Sequence, residues 1–184
     1  MVGVLFAAAA ISWSAFIHKP VVITVRAGAT ASEIQHALNT LPDNGGIVDL
    51  PEGIYEVASP IILARDHLTL RGSGKMTVLR LADHANCPVV IMGQPMNHPK
   101  DVVKDVHVMD LAIDGNRRNQ ESELWATKGD GHYIRNNGIT VQSIKDSSIE
   151  HVVTSRCRSG GVVTTLGVDH LTVRDLNSYD NQFD

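Results

Sequence analysis

Residues 149–154 read IEHVVT and residues 173–178 read VRDLNS. Each has an apolar residue, two polar or turn-tolerant positions, then an apolar residue that opens a second β-prone stretch. Residues 108–113, VMDLAI, repeat the shape. Ile149 and Val173 lie 24 positions apart. Val108 and Ile149 lie 41 apart, and the excess is the insertion 114–137, DGNRRNQESELWATKGDGHYIRNN. Matching entries, NNGITV at 136–141 and SGGVVT at 159–164, precede the last two copies. A period in the low twenties with three short strands per period marks a β-solenoid, in which one coil cannot bury its apolar row alone and neighbours share it. Asp110, His151 and Asp175 hold the third position of the three copies. These residue types tolerate the left-handed backbone that a tight bend between strands needs. A stacked acidic or metal-binding column is the alternative reading of the trio.

Upstream of the repeats, residues 21–25 alternate like a strand. A short helix follows, with Ser32 as N-cap, Gln35 completing a capping box, and Ile34, Ala37, Leu38 and Leu41 on one apolar face. PDNGG at 42–46 ends it. Strand-like pieces come next at 47–50 and 54–57, then at 61–63, 68–70, 78–81 and 89–92. No second helix is readable. The final strand, Leu176 to Ser178, has no polar cap or closing helix after it, and an uncapped solenoid end exposes unpaired backbone. The expectation is therefore the N-terminal part of a longer solenoid, with the β-domain over residues 20–184.

The 184 residues carry a formal charge of −4, with 16 basic and 20 acidic side chains scattered rather than blocked. No basic face invites nucleic acid. Cys87 and Cys157 are too few and too distant for a metal cluster or a disulfide framework, and read as small buried apolar residues. Residues 2–17, VGVLFAAAAISWSAFI, resemble a secretory leader in length and apolarity, and the run is too short to span a membrane comfortably. Its first lysine, Lys19, comes after the run, so a mis-started or truncated N-terminus is the other reading. A leader over 1–19 implies a secreted protein, or one tethered to a membrane by the apolar segment.

Residues 31–57, ASEIQHALNTLPDNGGIVDLPEGIYEV, resemble the N-terminal cap and first coil of the pectate lyase-like superfamily. Residues 109–119, MDLAIDGNRRN, with the later repeats, are most similar within it to the catalytic module of mannuronan C5-epimerases. The resemblance covers residues 29–184. It implies an all-β, right-handed parallel β-helix with a short N-terminal capping helix. It also implies a polysaccharide ligand, an acidic, uronate-containing one, and lyase- or epimerase-like chemistry. The family's Y-G-x-D-P-H-E motif falls, without gaps, on residues 160–166, GGVVTTL. Its tyrosine, aspartate and histidine positions are Gly160, Val163 and Thr165, and a family lysine falls near Glu123. The acid/base residues are thus absent from this stretch, and removal of a uronate C5 proton needs such groups.

On the groove strand, alternation puts Ile139, Val141, Val162 and Thr164 inward and Thr140, Gln142, Val163 and Thr165 outward. Thr140, Gln142 and Thr165 can hydrogen-bond sugar hydroxyls. Glycoside hydrolysis needs two carboxylates on one face. Asp180 and Asp184 are the best pair on offer, and coil-end turn chemistry is their competing role. The insertion supplies Arg117, Arg118, Trp125 and Tyr133, suited to an anionic sugar through ring stacking and guanidinium forks. A solvated loop with one anchoring tryptophan is the alternative. Arg156 and Arg158, flanking Cys157, could neutralise a uronate carboxylate. No cofactor is assigned. Asp114 is a candidate calcium ligand, although DGN is first a turn signal. A non-catalytic glycan-binding β-helix, of surface or tailspike type, and an inactive fragment are the rival functions.

Overall fold

The computed structural model describes residues 19–125, 127 and 130–183. The leader reading at 1–19 therefore lies almost wholly outside the described residues. Among these, no helix is long and apolar enough to cross a membrane.

Over the described residues the chain winds through parallel strands only, apart from one antiparallel bridge. In order come β1 (Val22–Thr24), helix α1 (Ala31–Thr40), β2 (Gly46–Asp49), β3 (Gly53–Val57) and β4 (Ile61–Leu63). Next are β5 (Leu68–Arg71), β6 (Thr77–Leu81), β7 (Val90–Met92), β8 (Val103–Lys104) and β9 (His107–Asp114). The long strands β10 (Ile139–Ser155) and β11 (Val162–Arg174) follow, then β12 (Asn177–Tyr179). Their pairings form three ladders. The first joins β4, β7 and the starts of β10 and β11. A second joins β1, β2, β5, the start of β9, the middle of β10 and the end of β11. The third joins β3, β6, the end of β9, the end of β10 and β12. This is a parallel β-helix with three faces, right-handed as parallel crossovers are.

Alternation along each strand puts one set of side chains inside. Val48, Leu70, Val108 and Ile149 are register partners on the second ladder and are all fully buried, so they form one aliphatic column through four coils. Cys87 and Cys157 are buried, as expected, and form no disulfide; burial pushes the Cys87 thiol up to about 12. Ile139 and Val141 point inward and are buried, whereas Val162 and Thr164, in the last described coil, are half-buried and exposed.

Corners between faces are made by left-handed residues. Asp110, His151 and Asp175 have φ of 56°, 53° and 51°, so the trio is a column of bends. The side chains also pair: His151 Nδ1 lies 3.1 Å from Asp110 and Nε2 lies 3.3 Å from Asp175. Among the described residues no cluster of three or more His, Cys, Asp or Glu is placed to hold a metal. Two further columns use the same chemistry: His67, Asp105, Asp146 and His170, and then Asn116, Arg156 and Asp180.

The helix cap differs from the sequence expectation. Thr30, not Ser32, is the N-cap. Its hydroxyl accepts the Glu33 N–H at 3.3 Å while Glu33 accepts the Thr30 N–H at 2.7 Å. Ser32 lies inside the first turn, so Gln35 is free to do something else. Its side-chain amide pairs with both the N–H and C=O of Ile62, at 2.7 and 3.0 Å, and so blunts the open edge of β4. Arg65 donates to the carbonyls of Leu38 and Leu41 and closes the helix's other end. Thr30→Ala is expected to cost about 1 kcal/mol of stability in urea unfolding, and Ser32→Ala close to nothing. Equal losses would refute the reassigned cap.

Candidate functional site

The first face carries a trough. Residues 162–165 of β11 pair in register with residues 139–142 of β10. Two adjoining cavities, of about 320 and 440 Å³, lie over these strands and share Arg135 and Val163 in their walls. Asn97, from the β7–β8 loop, and Tyr133, from the insertion, line the first. Gly160, Ser178 and Phe183 line the second. The positions onto which the epimerase motif's tyrosine, aspartate and histidine fall, Gly160, Val163 and Thr165, all face this trough.

Thr140 and Gln142 point outward, as alternation requires, but each is only 2% exposed and already engaged. Asn137 donates to the Thr140 hydroxyl at 2.9 Å. The Gln142 amide nitrogen donates to the Gln94 and Met96 carbonyls, and its oxygen accepts from Thr165 at 3.3 Å. The expectation that these two side chains offer free groups to sugar hydroxyls is thereby corrected. Gln142 fastens the β7–β8 loop to the floor, Thr165 is exposed but tied to Gln142, and Tyr133 presents its hydroxyl on the exposed side.

The insertion is pinned to that loop. Asn97 N–H donates to Asp130, and Tyr133 N–H to the Asn97 side-chain oxygen, both at 3.0 Å. Leu124 bridges Arg135 antiparallel, and Trp125 N–H donates to the Ile134 carbonyl at 2.8 Å. Trp125 is half-buried against the hydrophobic core and lines neither cavity. It anchors the loop, and the exposed ring is Tyr133, at 67%.

Arg135 is the one cation lining the trough among the described residues. Its guanidinium lies 5.8 Å from the Phe183 ring centroid and is held by Glu123 at 3.0 Å. Glu123 in turn accepts from Gln182 at 2.8 Å, and Gln182 accepts from Arg158. So Arg158 supports the trough from behind. Its Nε is the one buried side-chain polar atom without a partner among the described residues.

Four other arginines gather elsewhere. Arg117 and Arg118 sit on a one-turn 3-10 helix (Arg117–Asn119). With Arg80, Arg156, Asp114 and Asp180 they line a basin of about 570 Å³ at the end of the third face. Asp114 is mostly buried and accepts from Arg156 twice, at 3.0 and 2.6 Å, and from the Asn116 N–H at 3.0 Å. Burial alone would raise its carboxyl. The Arg156 and Asn116 hydrogen bonds and the charges of Arg156 and Arg80 outweigh that and hold it below the usual carboxylate range. Asp114, the candidate calcium ligand, is engaged here as an arginine anchor and turn former. Asp180 is bound by Arg117 at 2.8 Å and faces the basin, away from the trough. Asp184, its expected partner carboxylate, lies outside the described residues.

Asn97, Asn137 and Phe183 carried no signal in the sequence. They reach the trough only through loops whose path no local periodicity fixes.

Three stacked faces, left-handed corners and an outward trough make this a parallel β-helix. No protein-family model and no curated protein sequence matches the chain. Solved structures are similar at the level of the fold. The Azotobacter vinelandii mannuronan C-5 epimerase AlgE4 A-module has a TM-score of 0.55 at 21% identity over 83% of this chain. ORF18 of Geobacillus virus E2 has 0.53 at 20% over 72%. A candidate glycosyl hydrolase from Parabacteroides merdae ATCC 43184 has 0.54 at 15% over 85% of this chain and 84% of its own. This chain spans 26% of the viral protein and 47% of the epimerase module.

Proposed function

We propose that this chain is a carbohydrate-active β-helix that holds an acidic polysaccharide along the trough of its first face. The observation that carries the proposal is the pair of contiguous cavities sharing Arg135, a guanidinium oriented from behind and set beside the Phe183 ring. Hydroxyls of Tyr133, Thr165 and Ser178 and the Asn97 amide supply neutral hydrogen bonds around it. A rigid groove with a few placed polar groups suits a polymer of sugars, and one fork suits a carboxylate. The fold neighbours, an epimerase module acting on mannuronan among them, support the same ligand class. A leader at residues 2–17 would place the protein where such polymers are met.

One observation favours a second reading, lyase-type chemistry. Among the described residues neither cavity is lined by a carboxylate or imidazole, but Tyr133 and Arg135 share the first. A phenol can move a proton while a guanidinium neutralises the uronate carboxylate. Affinity electrophoresis in polymannuronate, polygalacturonate and dextran separates the outcomes. Retardation by a uronan and not by dextran is expected, weakened about tenfold in Arg135→Gln. Equal behaviour in all three gels would sink the proposal. Ultraviolet absorbance of an unsaturated product, lost in Tyr133→Phe, would select the lyase reading.

A further inference from the structure

We infer that the basin at the end of the third face is an oxyanion site, separate from the trough, which Asp180 partly fills from within. Its walls share no residue with either trough cavity. Four guanidinium groups meet two carboxylates there, which leaves a surplus of two positive charges in one concavity.

The four arginines are not equivalent. Arg156 is locked on Asp114 through two donors and acts as a fixed wall. Arg80 approaches the same carboxylate only at 3.8 Å, so its donors remain open. Arg117 spends one donor on Asp180. Arg118 is exposed and makes no hydrogen bond or ion pair among the described residues. The turn carrying Arg117 and Arg118 is itself held. The Asn116 and Asn119 amides donate to Asp83 at 2.7 and 2.8 Å, and Asn116 also donates to the Leu81 carbonyl at 3.0 Å. Three guanidinium groups with donors to spare therefore face one space from a fixed frame, and preorganisation of this kind reduces the entropy lost on binding.

Guanidinium forks match planar carboxylates and tetrahedral oxyanions. The surplus charge fits a divalent oxyanion, either a free ion or neighbouring acidic groups on a saccharide. Asp180 already occupies Arg117 as such a group would, so it competes with the ligand. That gives a prediction centred on the Asp180–Arg117 pair: removing the Asp180 charge should tighten binding.

The test is calorimetric titration of sodium sulfate into the whole chain at constant ionic strength, with chloride as control and trigalacturonate as a second titrant. Sulfate is expected to bind where chloride does not. Asp180→Asn should tighten it about threefold, and Arg118→Gln should weaken it by a similar factor, the size of exposed ion-pair effects. Arg135→Gln, which disables the trough, should leave the sulfate response in place, so the two sites fail separately. Trigalacturonate that displaces sulfate identifies a saccharide as the source of the oxyanion, and sulfate alone identifies a free ion. Identical sulfate and chloride responses, or unchanged or weaker binding in Asp180→Asn, would overturn the inference.

Discussion

Gly93→Ala is expected to destabilise the protein by about 3 kcal/mol or more and to abolish uronan binding with it. Gly93 turns the chain just after β7 with φ of +104°, a conformation that L side chains rarely adopt. Room is the larger problem. A Cβ here would lie 1.9 Å from the Gln142 carbonyl oxygen, a backbone atom of the next coil that cannot rotate away. Relief requires coils β7 and β10 to part at the corner where Gln142 fastens the β7–β8 loop. Gly74 supplies the control, because it has a similar φ of +99° and no atom within 4 Å of its would-be Cβ. Gly74→Ala pays the conformational penalty alone, about 1–2 kcal/mol. At about 2–4 °C per kcal/mol for a domain of this size, melting curves of the two variants separate clearly. Equal shifts would mean that the coils yield at Gly93 and that the trough floor is softer than its contacts imply.

The coil architecture was legible because a solenoid repeats its physics. Asp110, His151 and Asp175 needed no knowledge of the fold to be read as bends, and their positive φ values bear this out. The same criterion would have found Asp105, Asp146 and His170, one corner earlier in each coil, had the alignment been extended backwards. The helix cap misled because Ser32 and Thr30 are both good N-caps. The choice turned on Arg26, which clamps Glu33 at 2.9 Å and so favours the earlier box. Destinations in the insertion were less legible. Arg117 and Arg135 lie in one polar stretch, yet they line different cavities, because the 3-10 turn and the Leu124–Arg135 bridge send them to different faces. Asp114 and Arg156, 42 positions apart, meet because Asp114 ends β9 and Arg156 directly follows its register partner Ser155 at the end of β10 in the next coil. Composition can nominate these residues as a group, and only the path of the chain divides them.

Leu70→Ala is the second large effect, with an expected loss of about 2–5 kcal/mol. Leu70 is fully buried in the second ladder, between Val48 below and Val108 above. Truncation leaves a cavity that parallel strands spaced about 4.8 Å apart cannot close without breaking ladder hydrogen bonds. Val173 belongs to the same column, after Ile149, but is 46% exposed in the last described coil. Val173→Ala should therefore cost less than about 1 kcal/mol. The contrast also tests how the coils are coupled. In a solenoid each unit contacts only its neighbours, so a weakened coil lowers the stability of the interfaces it shares before those further along. Amide exchange in Leu70→Ala is expected to rise first in β2, β5 and the start of β9, with residues 152–155 of β10 less affected. Uniform acceleration along the whole chain would show instead that the coils melt as one unit. The trough and the basin would then share a single stability, and a lesion in either would be felt in both.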